Sequence, residues 1–368
     1  MKRILQVSTS ALLISALAAG SMAAAAPASP VVSAAGSVKI AAVSASELAG
    51  ATSPRWISDS SFLVTVFGET EATDYLVNAA TSKAEPIIEG VSGLAVSPDG
   101  KWGAYASDVG HVYLVNLAEK TQEAISTNEA EKFELQFSSD GKKLYYIEGS
   151  KAAIVSELDL ETKKIAKIID DKVENKMDLR VSEDGKRFVY AVEKVGKTTV
   201  DSSKPVEADA LEIDVSAADT QIHFFNKGMA KPGPYVAVQD EANKTSLNFF
   251  GTDYAVFVSS DTQSEASSSR LKKVNLFNNS AKTMLSFLDV QQVETAGGFA
   301  YVLGTTQSGK TVLYQVEIAS NKKNVLLSTD AVVLDIVVSP NGSVIATTLD
   351  GEQETLQFVR DGALVPVF

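Results

Sequence analysis

The chain of 368 residues has no cysteine and only two histidines, His111 and His223. The first absence excludes disulfides, zinc–thiolate centres, a cysteine nucleophile and a lipid-modified cysteine. The second leaves little for a histidine metal site or proton shuttle. His223 stands among Ile222, Phe224 and Phe225, as a packed strand residue would, and His111 follows Gly110 at a hairpin. The G-x-S-x-G pattern of a strand–turn–helix nucleophile does not occur beyond residue 26, and no segment has the size of a helical hydrolase domain. Basic residues are in deficit, 33 against 46 acids, a formal net charge of -13. That disfavours nucleic acid and anionic membrane surfaces and permits cationic partners. Long apolar runs are missing too. "ALLISALAA", residues 11–19, is too short to span a bilayer comfortably.

That run follows Lys2 and Arg3 and precedes "GSMAAAAPASP". A positive start, a short apolar core and small residues predict a signal peptide over 1–26, cleaved between about Ala23 and Ala26. The first 26 residues hold no acid, so losing Lys2 and Arg3 takes the charge from -13 to -15. The rest is expected outside the cytoplasm, periplasmic or extracellular, and not membrane-spanning. Residues 27–52 form an N-terminal segment containing the strand-like "SVKIAAV".

What the chain does contain is a repeat. "LAVSPDGKWGAYAS", "LQFSSDGKKLYYIE", "LRVSEDGKRFVYAV" and "IVVSPNGSVIATTL" each join two alternating strands through a serine and an Asp-Gly or Asn-Gly turn. The turns fall at Asp99, Asp140, Asp184 and Asn341. The last gap leaves room for weaker copies, found near Asp253 and Gly297, and an earlier copy turns at Asp59. Third strands such as "HVYLVNLAEK" and short fourth strands such as "NVLLS" come next in each unit. Four antiparallel strands repeated seven times predict an all-β, seven-bladed β-propeller over 53–368. The expected blades are about 53–90, 91–127, 128–169, 170–239, 240–288, 289–328 and 329–368. The ring could be closed by "SVKIAAV" or by the C-terminal "ALVPVF".

The turn motifs resemble the TolB-like and Trp-Asp-like propeller repeats of bacterial envelope proteins. The resemblance covers nearly all of the chain after the signal. It implies the repeat class and not an activity, because the class includes scaffolds, peptidase-associated propellers and a few enzymes. The separate N-terminal domain of TolB has no counterpart here, so its partners are not carried over.

Departures from the repeat point to function. About 28 residues separate Val192 from the third-strand candidate "QIHFF" of the fourth unit, and a Ser-rich stretch runs from Ser259 to Ser269. The loops joining second to third strands share one face of a propeller. Here they hold Glu69, Asp108, Glu148, Asp201, Glu207, Asp209 and Asp350, an expected acidic face in which Lys310 is a lone cation. This face is the candidate binding surface, for a protein or cell-envelope component. Glu212, Asp214 and Asp219 lack the spacing of a calcium loop, and no metal or cofactor is expected.

One apparent motif competes with this picture. Gly304, Gly309, Lys310 and Thr311 match the phosphate-binding pattern G-x-x-x-x-G-K-[ST]. A phosphate loop needs a helix after it. Here the pattern runs instead into the β-branched, alternating "TVLYQVEI", so "TTQSGK" is expected to be a hairpin loop. Equilibrium titration with MgATP is expected to show no micromolar binding; such affinity, lost in Lys310→Ala, would contradict the assignment.

Overall fold

The computed structural model describes residues 4–6, 48, 50–194, 197–200, 211–214, 219–261, 268–285 and 289–368. Seven four-stranded antiparallel sheets follow one another along the chain and form a seven-bladed propeller. Blade 1 begins with Thr52–Ser58 and blade 7 ends with Ala363–Pro366. In every blade the strands lie in sequence order, so the first strand is innermost. "TTQSGK" is indeed a hairpin, between Phe299–Thr305 and Thr311–Glu317. The fourth-unit insertion carries two short strands, Lys197–Val200 and Leu211–Asp214, which form a separate sheet with Ile4–Gln6.

The repeated serine and aspartate fold the turns. Ser97 Oγ donates to Asp99 Oδ1 at 2.7 Å, and the same oxygens accept from Trp102 N and Lys101 N. Ser138 with Asp140, Ser182 with Asp184, and Ser339 with Asn341 repeat the hook. The next glycine adopts the left-handed backbone, φ +68° at Gly100. Between third and fourth strands, Asn78, Asn116, Asp159 and Asn275 cap the turn amides with their side-chain oxygens.

Apolar clusters fill the space between blades. Phe137, Leu144 and Tyr146 of blade 3, for example, pack on Ala104, Val112 and Leu114 of blade 2. The ring closes where blade 7 meets blade 1. Phe358 packs edge-on against Phe62 at 6.0 Å, with Leu48, Ile345 and Val367 around them. Trp56 Nε1 donates to Val337 O at 3.2 Å. All four strands of blade 7 come from residues 332–366, with "ALVPVF" supplying the outermost; residues 37–43 lie outside the described ones.

The inner strands are bulged at one recurring position. Ser53, Glu134, Asp178 and Ser246 have φ of +50° to +55°, and Gly93 stands at the same place with +71°. In blades 3 and 4 the bulged residue is a carboxylate that crosses to the next blade. Glu134 accepts from Asp178 N at 2.8 Å and Leu179 N at 2.6 Å, and Asp178 accepts from Leu247 N at 2.7 Å. Buried lysines also recur at the start of inner strands. Lys132, Lys176 and Lys244 each donate to two or more backbone carbonyls of the adjoining link or of the preceding blade's hairpin, and Lys176 and Lys244 also pair with Asp171 and Asp240. Burial holds the ammonium groups of Lys132 and Lys176 below the usual lysine range. In blade 4, His223 is 6% exposed and stacks on Tyr190.

Two outcomes are expected. Glu134→Ala leaves the part-buried Leu179 amide without its acceptor and lowers stability by about 1–2 kcal/mol in urea unfolding, and Glu134→Gln costs less, because one acceptor survives; equal midpoints for all three proteins would refute the latch. Burial depresses His223 from 6.5 to about 4, so between those values the unfolded chain binds the extra proton. The folded state should therefore lose up to about 3 kcal/mol relative to His223→Gln as pH falls from 6.5 to 4. Parallel pH–stability curves for the two proteins would refute this.

Candidate functional site

Two regions gather chemistry, the channel wall and the face that carries the second-to-third-strand hairpins together with the links between blades. In the channel wall, charged and amide side chains project from the inner strands. Arg55 pairs with the fully buried Asp74 at 2.5 Å, and Asp74 also accepts from Thr65 Oγ1 and from Leu94 N of blade 2. Arg180 pairs with Asp178 at 2.8 Å. Gln292 of blade 6 clamps Ile336 of blade 7, accepting from its N–H at 2.8 Å and donating to its carbonyl at 3.0 Å. Asn248 of blade 5 donates to Val293 O of blade 6.

Most channel acids are thus committed to holding neighbouring blades. Glu294 is different. Its nearest polar contact is a long one, 3.5 Å from Gln292 Nε2. Burial pushes its carboxyl up to about 7, Asp335 and Asp178 push the same way, and Arg180 opposes them. Burial also raises Asp335 and Glu134, in Glu134 against the two amides it accepts. A carboxyl that titrates near neutrality in a concave site can exchange a proton or take up a cation. Among the described residues, no group of three or more histidines, aspartates and glutamates stands close enough to hold a metal ion.

The hairpin face holds only part of the sequence-predicted set. Glu69, Asp108 and Asp350 are exposed there. Glu148 is not part of it. It ends strand Lys143–Glu148, is 4% exposed and accepts from Ser156 Oγ at 2.8 Å. The strand runs one residue further than the loop expectation allowed, which turns the side chain into the sheet. Asp201, Glu207 and Asp209 lie outside the described residues. Lys310 is exposed but not a lone cation. It faces Asp330 at 3.5 Å, and Lys151 occupies the matching hairpin of blade 3, 2.6 Å from Glu174.

Sequence reasoning missed the channel acids and the buried lysines, although the repeat carries a signal for both. Glu134 and Asp178 stand six residues before Asp140 and Asp184, and Lys132 and Lys176 stand eight before them. The same face also exposes Phe67, Val109 and Leu349, a feature the acidic pattern drew attention away from.

No protein-family model and no curated protein matches the sequence. Solved structures match it in fold. The β-propeller domain of the Trilobed protease from Pyrococcus furiosus, described by its open velcro topology, is 13% identical, with a TM-score of 0.59 over 87% of this chain and 95% of that one. An oligogalacturonate lyase in complex with manganese is 14% identical, with a TM-score of 0.60 over 81% of this chain and 85% of that one. A puromycin-hydrolyzing peptidase from Mycobacterium tuberculosis is 9% identical, with a TM-score of 0.64 over 88% of this chain and 55% of that one. The chain spans 35% of the tricorn protease it also resembles. At such identities the likeness establishes the fold alone, and that fold is a seven-bladed β-propeller.

Proposed function

We propose that the chain is a secreted, non-enzymatic propeller that binds a protein or cell-envelope partner through its hairpin face. The observation that supports this is the exposure of Phe67, Val109 and Leu349 on the face that also presents Glu69, Asp108 and Asp350. Exposed apolar side chains mark an interaction surface when they cluster, and these three come from the hairpins of the consecutive blades 7, 1 and 2. The channel acids fit a structural role better than a catalytic one, since Glu134 and Asp178 are taken up by backbone amides. Propellers commonly present one face to a partner, while function is decided by the site and not the fold.

A second reading is a propeller enzyme, a hydrolase or lyase working at the channel through carboxylates. Glu294 favours it, as a carboxyl raised to about 7 beside Arg180. The fold shared with an oligogalacturonate lyase in complex with manganese and with several peptidases is consistent with it.

The binding reading predicts that the immobilised chain retains a specific partner from envelope extract of its host, and that Phe67→Ser with Val109→Ser and Leu349→Ser loses most of it. Equal retention on an unrelated acidic propeller would count against it. The enzyme reading predicts turnover of oligogalacturonides or short peptides, with or without manganese. With Glu294 as the base, the rate should rise with pH through about 7 and vanish in Glu294→Gln. An inert protein across that panel would remove this reading.

A further inference from the structure

The exposed apolar side chains are not spread evenly around the ring. Phe133 and Met177 are the second residues of the inner strands of blades 3 and 4, and Val332 and Leu334 open that of blade 7. All four are exposed, Leu334 to 46%. Phe133, Met177 and Leu334 lie seven residues before Asp140, Asp184 and Asn341, so they occupy one position of the repeat. Inner strands line the channel, and their first residues lie on the hairpin face. These side chains therefore form an interrupted collar at the channel mouth, with Phe133 and Met177 on one side and Val332 and Leu334 on the other, while Thr52, Ser92, Thr245 and Gln291 hold the position in the remaining blades; it lies inside the ring of hairpins that carries Phe67, Val109 and Leu349.

Acids outnumber cations on that face, where the exposed cations include Lys151, Lys172, Arg270 and Lys310. The links between blades add exposed Glu129, Glu174 and Asp330 to the acidic hairpins. The lysines at the same end, Lys132, Lys176 and Lys244, are 3–8% exposed and so present no ammonium to a partner, while Lys176 and Lys244 pair with the link acids Asp171 and Asp240. Lys151 and Lys310 each face an acid. On the opposite face, the turns carry exposed Lys83, Lys142, Lys164, Lys186, Lys231 and Lys322 among their acids.

We propose that the hairpin face docks a basic segment of a partner protein, whose apolar side chains seat on Phe133, Met177 and Leu334 while its lysines and arginines meet the surrounding carboxylates. This inference rests on the binding reading and deepens it by naming the partner's chemistry. Charge complementarity selects the sign, because an acidic surface would be repelled. The collar selects the rest, because a purely ionic polymer would leave it in water. Interfaces of this composition, apolar at the centre and polar at the rim, are the common protein–protein kind.

The test uses the full chain and a fluorescent twelve-residue peptide of alternating leucine and arginine, read by anisotropy. Two control peptides replace arginine by glutamate or leucine by serine. The leucine–arginine peptide is expected to bind, and more weakly as salt rises. Met177→Ser with Leu334→Ser should weaken it by roughly tenfold or more, the cost of leaving apolar side chains unburied. Lys142→Ser on the opposite face should leave it unchanged. Equal binding of the serine control, binding of the glutamate control, or an unaffected Met177→Ser, Leu334→Ser protein would each overturn the proposal. A photo-crosslinker at Leu334 separates this failure from failure of the binding reading. An acidic partner segment captured there overturns the inference alone, and an extract that yields no partner at all overturns the reading beneath it.

Discussion

The structure depends on side chains that reach across from one blade to the backbone of the next. A propeller blade is a small sheet, and its innermost strand has one edge with no strand beside it. Unpaired amides at such an edge are costly when buried. Here Asp74, Glu134, Asp178 and Gln292 accept those amides from the following blade, at 2.6–2.9 Å. The bulge recurs at Ser53, Gly93 and Ser246, where no carboxylate stands, and at Glu134 and Asp178 the carboxylate placed on it reaches the next blade. Apolar clusters between blades supply most of the burial, and the latches fix how far each blade is turned against its neighbour.

This arrangement separates structure from chemistry inside the channel. Glu134 already holds two amides of the next blade, one on each oxygen, and losing it would misalign that blade. Glu294 carries no such duty, and it is also the channel acid raised to about 7. The buried lysines make the complementary point. They donate to carbonyls at their own end, and Lys176 and Lys244 also pair with Asp171 and Asp240 there, so they hold the backbone together and present no ammonium to a partner.

The blades were legible in the sequence because each Ser-x-Asp-Gly turn needs its hydroxyl, its carboxylate and its left-handed glycine, and substitution breaks the hook. The latches were not, because the position six before the turn holds Ser53, Gly93, Glu134 and Asp178 in the first four blades. Its role depends on a bulge and on the neighbour's amides, neither of which one repeat reveals. Glu148 was misplaced for a related reason. In "YYIEGSKAAI" the end of the strand and the start of the hairpin have the same composition, and one residue of strand decides whether the glutamate faces water or Ser156. The apolar collar escaped notice because Phe133, Met177 and Leu334 look like ordinary core residues of an alternating strand.

The closing seam has a mechanical consequence. The chain itself crosses six of the seven junctions between blades, and between blades 7 and 1 the described residues meet by packing and a few hydrogen bonds, Phe62 against Phe358 and Trp56 on Val337 O. No backbone ladder spans that line among the described residues. Among the described residues, a load that widens the channel is therefore borne at that line by side chains alone. Val332, Leu334 and Leu349 flank the line on one side and Phe67 on the other, so whatever seats on the mouth also bridges it.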